Sequence, residues 1–400
     1  MKQLRHILLL INAILGFLLP RLEAAPALHR LDLASLSNNA IICLHQDPTG
    51  YIWVGTYDGL NLFNGQDTYT YRFEQDYKLS LCSNIILYIA DAEPGFLWIS
   101  TSLGFNKFST KERKVTAAFP GYINCTLLAT NSEGTMVAIS RENQIACYLP
   151  ELNTVCDVPL EGINPNEVIK LIHLGHNSFG ILLRSGVMRK ITPVYKDGKI
   201  DLQEEQASFH FQAIHFAVSE GELLFLIDEQ DQLYDCDLTG GDKRWIASIE
   251  GMREQMGSII HIFTYQSAYY IGFRQGQIVN LQKPAESINV GLGVFWVMPD
   301  AKLDMLWIGT DGQGIQLYYD KPTLFGSILQ NNLPLRLQNP IRSIFTDSDG
   351  SLWLGTKGDG IVRIEHYADY SEKPIPAKAV THFTTKDGLT HNRVYCFCPS

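Results

Sequence analysis

The chain carries little charge and no basic excess. Only 18% of its 400 residues are Asp, Glu, Lys or Arg, and the formal balance is -10. A nucleic-acid binder needs a basic face to neutralise phosphates, so that class is excluded. No apolar run beyond the first twenty residues has the length to span a bilayer, which needs roughly 20 residues. There is no Gly-x-Ser-x-Gly elbow, no His-Glu-x-x-His and no phosphate loop, so the common local signatures of hydrolases, zinc peptidases and nucleotide enzymes are missing. No Cys-x-x-Cys occurs among the eight cysteines (Cys43, Cys82, Cys125, Cys147, Cys156, Cys236, Cys396 and Cys398). Most of them have apolar neighbours and read as buried free thiols. Past the first two dozen residues, no segment shows a helical period.

The first residues read as an export signal. Lys2, Arg5 and His6 precede an apolar run from Ile7 to Leu19, Pro20 ends it, and Ala24-Ala25 offers a cleavage site. Residues 1–24 are therefore expected to be a signal peptide.

The chain is rich in one recurring phrase. "GYIWVGTYDGLNLFNG" from Gly50 returns as "GFLWISTSLGFNKFS" from Gly95, "DMLWIGTDGQGIQLYYD" from Asp304 and "GSLWLGTKGDGIVRIEHY" from Gly350. Trp53 and Trp98 are about 45 residues apart, as are Trp307 and Trp353. Four weaker copies fill the interval, around Met136, Ile181, Phe225 and Tyr270, making eight; a ninth begins at "GLTHNRVYCFCPS". Each copy is an apolar run, a polar turn with Gly, a short strand, a Gly hairpin, a third strand and a looser fourth. Four strands per 40–46 residues is the repeat of a β-propeller. The expected fold is all-β, a propeller of four-stranded blades.

Trp53, Trp98, Trp307 and Trp353 are expected to pack between blades. Gly55, Gly309 and Gly355 follow two residues later, where a neighbour needs room. Asp58-Gly59 supplies a tight hairpin, and Asp47 and Asp347 hydrogen-bond the turn each opens.

These residues resemble the two-component regulator propeller repeat: Asp-x-x-Gly, an apolar residue and Trp, Gly-Thr, then a Gly hairpin. The resemblance is strong in 36–75, 80–119, about 290–325 and 336–385, and weak between. It implies the periplasmic sensor region of a hybrid two-component system of glycan-degrading bacteria. It also implies a second propeller, a membrane helix, a histidine kinase and a DNA-binding output domain beyond this chain. On this reading residues 25–335 form a seven-bladed first propeller and 336–400 begin a second; a single eight-bladed ring is the alternative. The region is expected to be periplasmic and not an enzyme. Membrane anchoring comes only through a downstream segment, and a homodimer belongs to the full-length sensor.

Propellers bind ligands where inter-blade loops and hairpin turns converge. Ahead of first strands stand Asn38, Asn39, Asn84, Asn339 and Arg342; after Gly-Thr come Tyr57, Asp58, Asp311, Gln313, Lys357 and Asp359. Amides, carboxylates, cations and an aromatic suit an oligosaccharide. His45, His173, His215 and His261 each lie in a first strand. They are expected to be hydrogen-bonded core residues; no metal and no cofactor is expected. A protein-interaction scaffold is the second functional reading. A polysaccharide lyase or glycosidase is the third, since carboxylates from distant blades can pair.

Overall fold

The computed structural model describes residues 27–31, 33, 35–75, 79–139, 145–159, 162–220, 223–238, 243–319, 333–370 and 375–398. The expected signal peptide lies outside the described residues. The chain divides into two compact units, Met1–Asp320 and Lys321–Ser400.

The first unit holds seven four-stranded antiparallel sheets. Six are continuous in sequence: 41–71, 86–120, 127–158, 168–210, 214–248 and 259–289, here blades one to six. Blade seven takes three strands from 294–319, and its outer strand is Ala27–Leu31 from the start of the chain. That strand pairs antiparallel with Ile315–Tyr319, Ala27 opposite Tyr319 and Leu31 opposite Ile315. The first strand of each blade neighbours that of the next, and the first strand of blade seven neighbours that of blade one. The ring is closed, and it is a seven-bladed β-propeller.

Apolar residues run almost without a break along the middle strands, as in Met136–Ile139 and Ile145–Leu149, so each sheet has two buried faces, one against each neighbouring blade. Trp53 is fully buried and meets Phe108 of blade two edge-on at 5.2 Å. Trp98 meets Tyr148 of blade three at 4.8 Å, and Trp307 meets Phe63 of blade one at 6.3 Å. The weaker repeats put Met136, Phe225 and Tyr270 in the tryptophan register. In blade four that register falls on Gly180 rather than Ile181. Met188 and Leu174 fill the space there, within 2.9 and 3.1 Å of where a Cβ would stand.

First strands carry a bulge at a constant place: between Ile41 and Cys43, Ile86 and Tyr88, Val168 and Lys170, Ile214 and Phe216, Ile259 and His261, and Val294 and Trp296. Bulges bend a strand and re-aim the following side chain. Gly55 pairs with Cys43 beyond the first of these. A Cβ on Gly55 would stand 2.4 Å from Cys43 Sγ and 2.8 Å from Ile86 Cγ2, so the glycine seats the next blade's isoleucine. Gly59 has φ +127°, and a Cβ there would lie 2.7 Å from the Tyr71 carbonyl.

The turn aspartates bind more than the turn. Asp47 Oδ1 accepts from the Thr49 and Tyr51 amides at 2.9 and 3.1 Å, and Oδ2 accepts from Trp53 Nε1 at 2.9 Å. Trp98 has Ala92 where its counterparts have Asp, and its indole nitrogen is buried without a hydrogen-bond partner among the described residues. Asp300 Oδ2 accepts from Trp307 Nε1 at 2.8 Å and from Gln46 Nε2 of blade one at 3.1 Å. Its Oδ1 accepts from the Lys302 and Leu303 amides at 2.8 and 2.7 Å. Burial raises the Asp300 pKa, but the Trp307 indole, the two amides and Gln46 outweigh it and hold it below the usual carboxylate value. A depressed folded pKa means stabilisation that is full above the unfolded value, about 3.9, and lost as pH falls through the folded one. Between pH 6 and pH 3 the melting temperature of the native chain is therefore expected to fall more steeply than that of Asp300→Asn. Parallel melting curves followed by circular dichroism across that range check this.

A five-residue helix, Met252–Met256, sits between blades five and six, too short for a sequence period to reveal. Among the described residues no helix is long and apolar enough to cross a membrane.

The second unit contains one four-stranded sheet, Ile341–Thr346, Leu352–Thr356, Ile361–Ile364 and Val380–Phe383, in sequential order. Trp353 donates to Asp347 Oδ2 at 2.8 Å and stacks on Phe383 at 5.9 Å. Ile344 is 67% exposed, whereas Leu44, at the same register in blade one, is 3% exposed.

Candidate functional site

In every blade the second-to-third-strand turn and the segment leading into the first strand lie at the same end of the sheet. In the first unit these two sets are stitched together by main-chain hydrogen bonds. Ser102 N donates to Ile85 O, Arg184 N to Glu167 O, Glu229 N to Ala213 O, Arg274 N to Ser258 O and Asp311 N to Gly293 O, at 2.7–3.2 Å. Further bonds reach the next blade: Gly59 N to Asn84 O, Asn124 N to Ser102 O, Ile214 N to Arg184 O, Val294 N to Arg274 O, and Gly314 N to Asn39 O. The turns thus form one continuous, braced face of the ring.

The sequence candidates of the first unit all fall on this face, but not all are free to meet a ligand. Asn38 Oδ1 accepts from the Ala40 amide at 2.8 Å. Asn84 Oδ1 accepts from Phe73 N at 2.7 Å. Asp58 pairs with Arg72 at 2.9 Å. Tyr57 is 48% exposed, and Asn39, Asp311 and Gln313 are exposed. The remaining four lie in the second unit. There Asn339 and Asp359 bind each other, Nδ2 to Oδ1 at 3.0 Å. Arg342 stacks over Tyr395 at 4.6 Å, and Lys357 is exposed, its amide donating to the Pro340 carbonyl.

The face has a depression of about 570 Å³ lined by Asp231, Glu250, Gly251, Arg253 and Glu254. Arg253 Nη2 lies 2.7 Å from Asp231 Oδ1. Behind it His215, the bulge residue of blade five, places Nε2 4.0 Å from the same oxygen. His215 Nδ1 lies 2.8 Å from the Asp228 carbonyl and donates to it. Burial lowers the His215 pKa, the Asp228 bond opposes this, and Arg253 lowers it further. A neutral imidazole, two opposite charges and adjacent carboxylates offer both donors and acceptors to a polyhydroxylated ligand. Sequence reasoning missed Arg184, His215 as part of this face, Asp231, Arg253 and Arg274. The weak blades lack the Trp-Gly-Thr marker, so their turn positions could be found only by counting from the bulge register.

The four first-strand histidines do not converge. His45 Nε2 meets Asp91 at 2.9 Å, His173 Nε2 meets the His176 carbonyl at 2.8 Å, and His261 stacks on Trp296 at 6.0 Å. Among the described residues, no three His, Cys, Asp or Glu side chains gather to hold a metal ion.

Residues 35–58 and 336–358 match the two-component regulator propeller family. Each of the two units thus holds one segment that matches this repeat. One matched segment leads through blade one to its turn face, and the other is the corresponding part of the second unit. Among solved structures, the propeller resembles the extracellular domain of the hybrid two-component system BT3049 from B. thetaiotaomicron, with TM-score 0.54 and 17% identity over 93% of this chain and 50% of that one. It also resembles that of the hybrid two-component system BT4673 of the same organism, with TM-score 0.50 and 16% identity over 93% of this chain and 49% of that one. At these identities the likeness is one of fold, and the repeat chain spans about half the length of both. No curated protein matches it.

Proposed function

We propose that this chain is the ligand-sensing part of an exported hybrid two-component sensor, and that the turn face of its ring binds a glycan-derived oligosaccharide. The observation that carries the reading is the charged depression on a braced face of regulator-propeller repeats. Asp231, Arg253 and Glu254 supply polar contacts, and Tyr57, Asn39, Asp311 and Gln313 extend the face around the ring. In this reading residues 1–24 direct export to the periplasm, and 336–400 begin a second propeller, consistent with the bare inner strand at Ile344. Anchoring and the histidine kinase lie downstream, and the sensor signals as a homodimer. Signalling follows from differential affinity: a ligand that prefers one arrangement of domains shifts the population toward it.

The test is a thermal-shift screen of oligosaccharide fragments on the full chain, repeated with Asp231→Asn and Arg253→Ala. A ligand at 100 times its Kd adds about 2.7 kcal/mol, which is roughly 5–10 °C for a domain this size. One oligosaccharide is expected to give that shift without being consumed, and either substitution to abolish it. Product formation supports the enzyme reading instead. No response to any sugar refutes the proposal and favours a protein-binding scaffold.

A further inference from the structure

At the opposite end of the ring, the first strands of blades two to five border a second cavity, of about 190 Å³. Its polar lining comes from Tyr88, Thr130, Lys170, His173 and Ser219. Lys170 is half-buried in the strand Val168–His173, directly after the bulge that aims it inward. Burial lowers its pKa, and no neighbouring carboxylate opposes that. Two acidic side chains of adjoining first strands are engaged elsewhere. Asp91 binds His45 at 2.9 Å, and Glu220 accepts from the Thr264 amide at 2.9 Å. His261 brings no second charge: burial, then the charge of Lys170, pushes its pKa down to about 4. An ammonium withdrawn from water without a counter-charge is costly, and groups perturbed by burial in a cleft are over-represented at functional sites.

The lining sets the kind of anion. A single ammonium among hydroxyls balances one negative charge; a phosphate dianion would leave its second charge without a partner in this lining. The cavity is smaller than the roughly 300 Å³ at which sites for drug-sized ligands begin, so it takes one ring rather than a chain. Tyr88 is held in place by its edge contact with Trp296 at 5.9 Å.

We propose that this cavity binds an acidic monosaccharide of the hexuronate type, its carboxylate paired with Lys170 and its hydroxyls met by Tyr88 and Ser219 and donating to Thr130 Oγ1, whose own proton goes to the Asp91 carbonyl at 2.6 Å. The site lies at the other end of the ring from the turn face and stands whether or not an oligosaccharide binds there.

Titration calorimetry of the full chain with glucuronate, glucose, acetate and inorganic phosphate tests it. Glucuronate is expected to bind, and glucose, acetate and phosphate to bind at least tenfold more weakly. Lys170→Met is expected to lose glucuronate affinity at least tenfold while melting at the native temperature or above, because it removes an unpaired charge. Ser219→Leu, which fills the cavity from blade five, is expected to abolish uptake and serves should the lysine variant fail to fold. Glucuronate binding that survives either substitution overturns the proposal, as does absence of binding to the native chain. Glucose bound as tightly as glucuronate removes the role of the charge; acetate or phosphate bound as tightly removes that of the sugar ring.

Discussion

A chain lacking Ala27–Leu31 is expected to melt about 10 °C or more below the full chain and to aggregate as it does so. The strand supplies the whole outer edge of blade seven, pairing with all five residues of Ile315–Tyr319. Leu28 packs into the core between blades six and seven, and Leu31 into the core between seven and one. His29 stacks on Tyr319 at 4.6 Å. Two half-buried leucines are worth about 1.5–3 kcal/mol together, and the lost pairing of five residues adds to that. At roughly 2–4 °C per kcal/mol for a domain of this size, the leucines supply much of a shift near 10 °C and the pairing the rest. The edge left bare at Ile315–Tyr319 is an open template for another chain. Calorimetry and size-exclusion chromatography of the truncated and full chains measure both effects. Identical melting would mean that the inner strands hold the ring closed unaided.

Trp53→Ala is expected to cost about 4–8 kcal/mol. Deleting a buried tryptophan costs roughly 3–5 kcal/mol in transfer and cavity energy. Trp53 sits in the core shared with Ile86, Ile89, Leu97 and Phe108 of blade two, so the cavity opens between blades. Loss of the indole also strips Asp47 Oδ2 of its donor in a buried place, worth about 1–3 kcal/mol more. Phenylalanine separates the two effects. Trp53→Phe keeps much of the packing but loses the hydrogen bond, whereas Trp98→Phe has no such bond to lose. Urea denaturation is expected to rank Trp53→Ala as most damaging, then Trp53→Phe, then Trp98→Phe. Equal costs for the two phenylalanine variants would show that the Asp47 bond contributes nothing.

The blades with Asp, Trp and Gly were legible because each of those residues answers a local geometric need. Asp47 satisfies turn amides, Trp53 fills an inter-blade gap, and Gly55 makes room for Ile86. Blades three to six meet the same needs with other residues, so only their spacing shows; in blade four Met188 and Leu174 take over from the tryptophan. The closing strand "ALHRL" was illegible for a different reason. It has no glycine turn, and its partner lies about 290 residues away, a pairing that only the finished topology defines. Among the candidate residues, Asn38 and Asn84 of the first unit and Asn339 and Asp359 of the second suited a sugar by type, but each is engaged in local hydrogen bonds. Asn and Asp serve both purposes at turns, and sequence does not tell which holds. The depression at Asp231 and Arg253 depends on a five-residue helix between two weak repeats, below the length at which periodicity speaks.

The stitched main chain of the turn face separates holding the loops in place from recognising anything. Amides at Ser102, Arg184, Arg274 and Asp311, and the carbonyls of the first three, are occupied by neighbouring loops, while the side chains of Arg184 and Asp311 are exposed and that of Arg274 lies over the Phe295 ring at 3.5 Å. Such positions can be exchanged over generations, or in a library, without disturbing the scaffold beneath. On the proposed sensing role, rewriting a few turn residues per blade would retune one ring from one ligand to another.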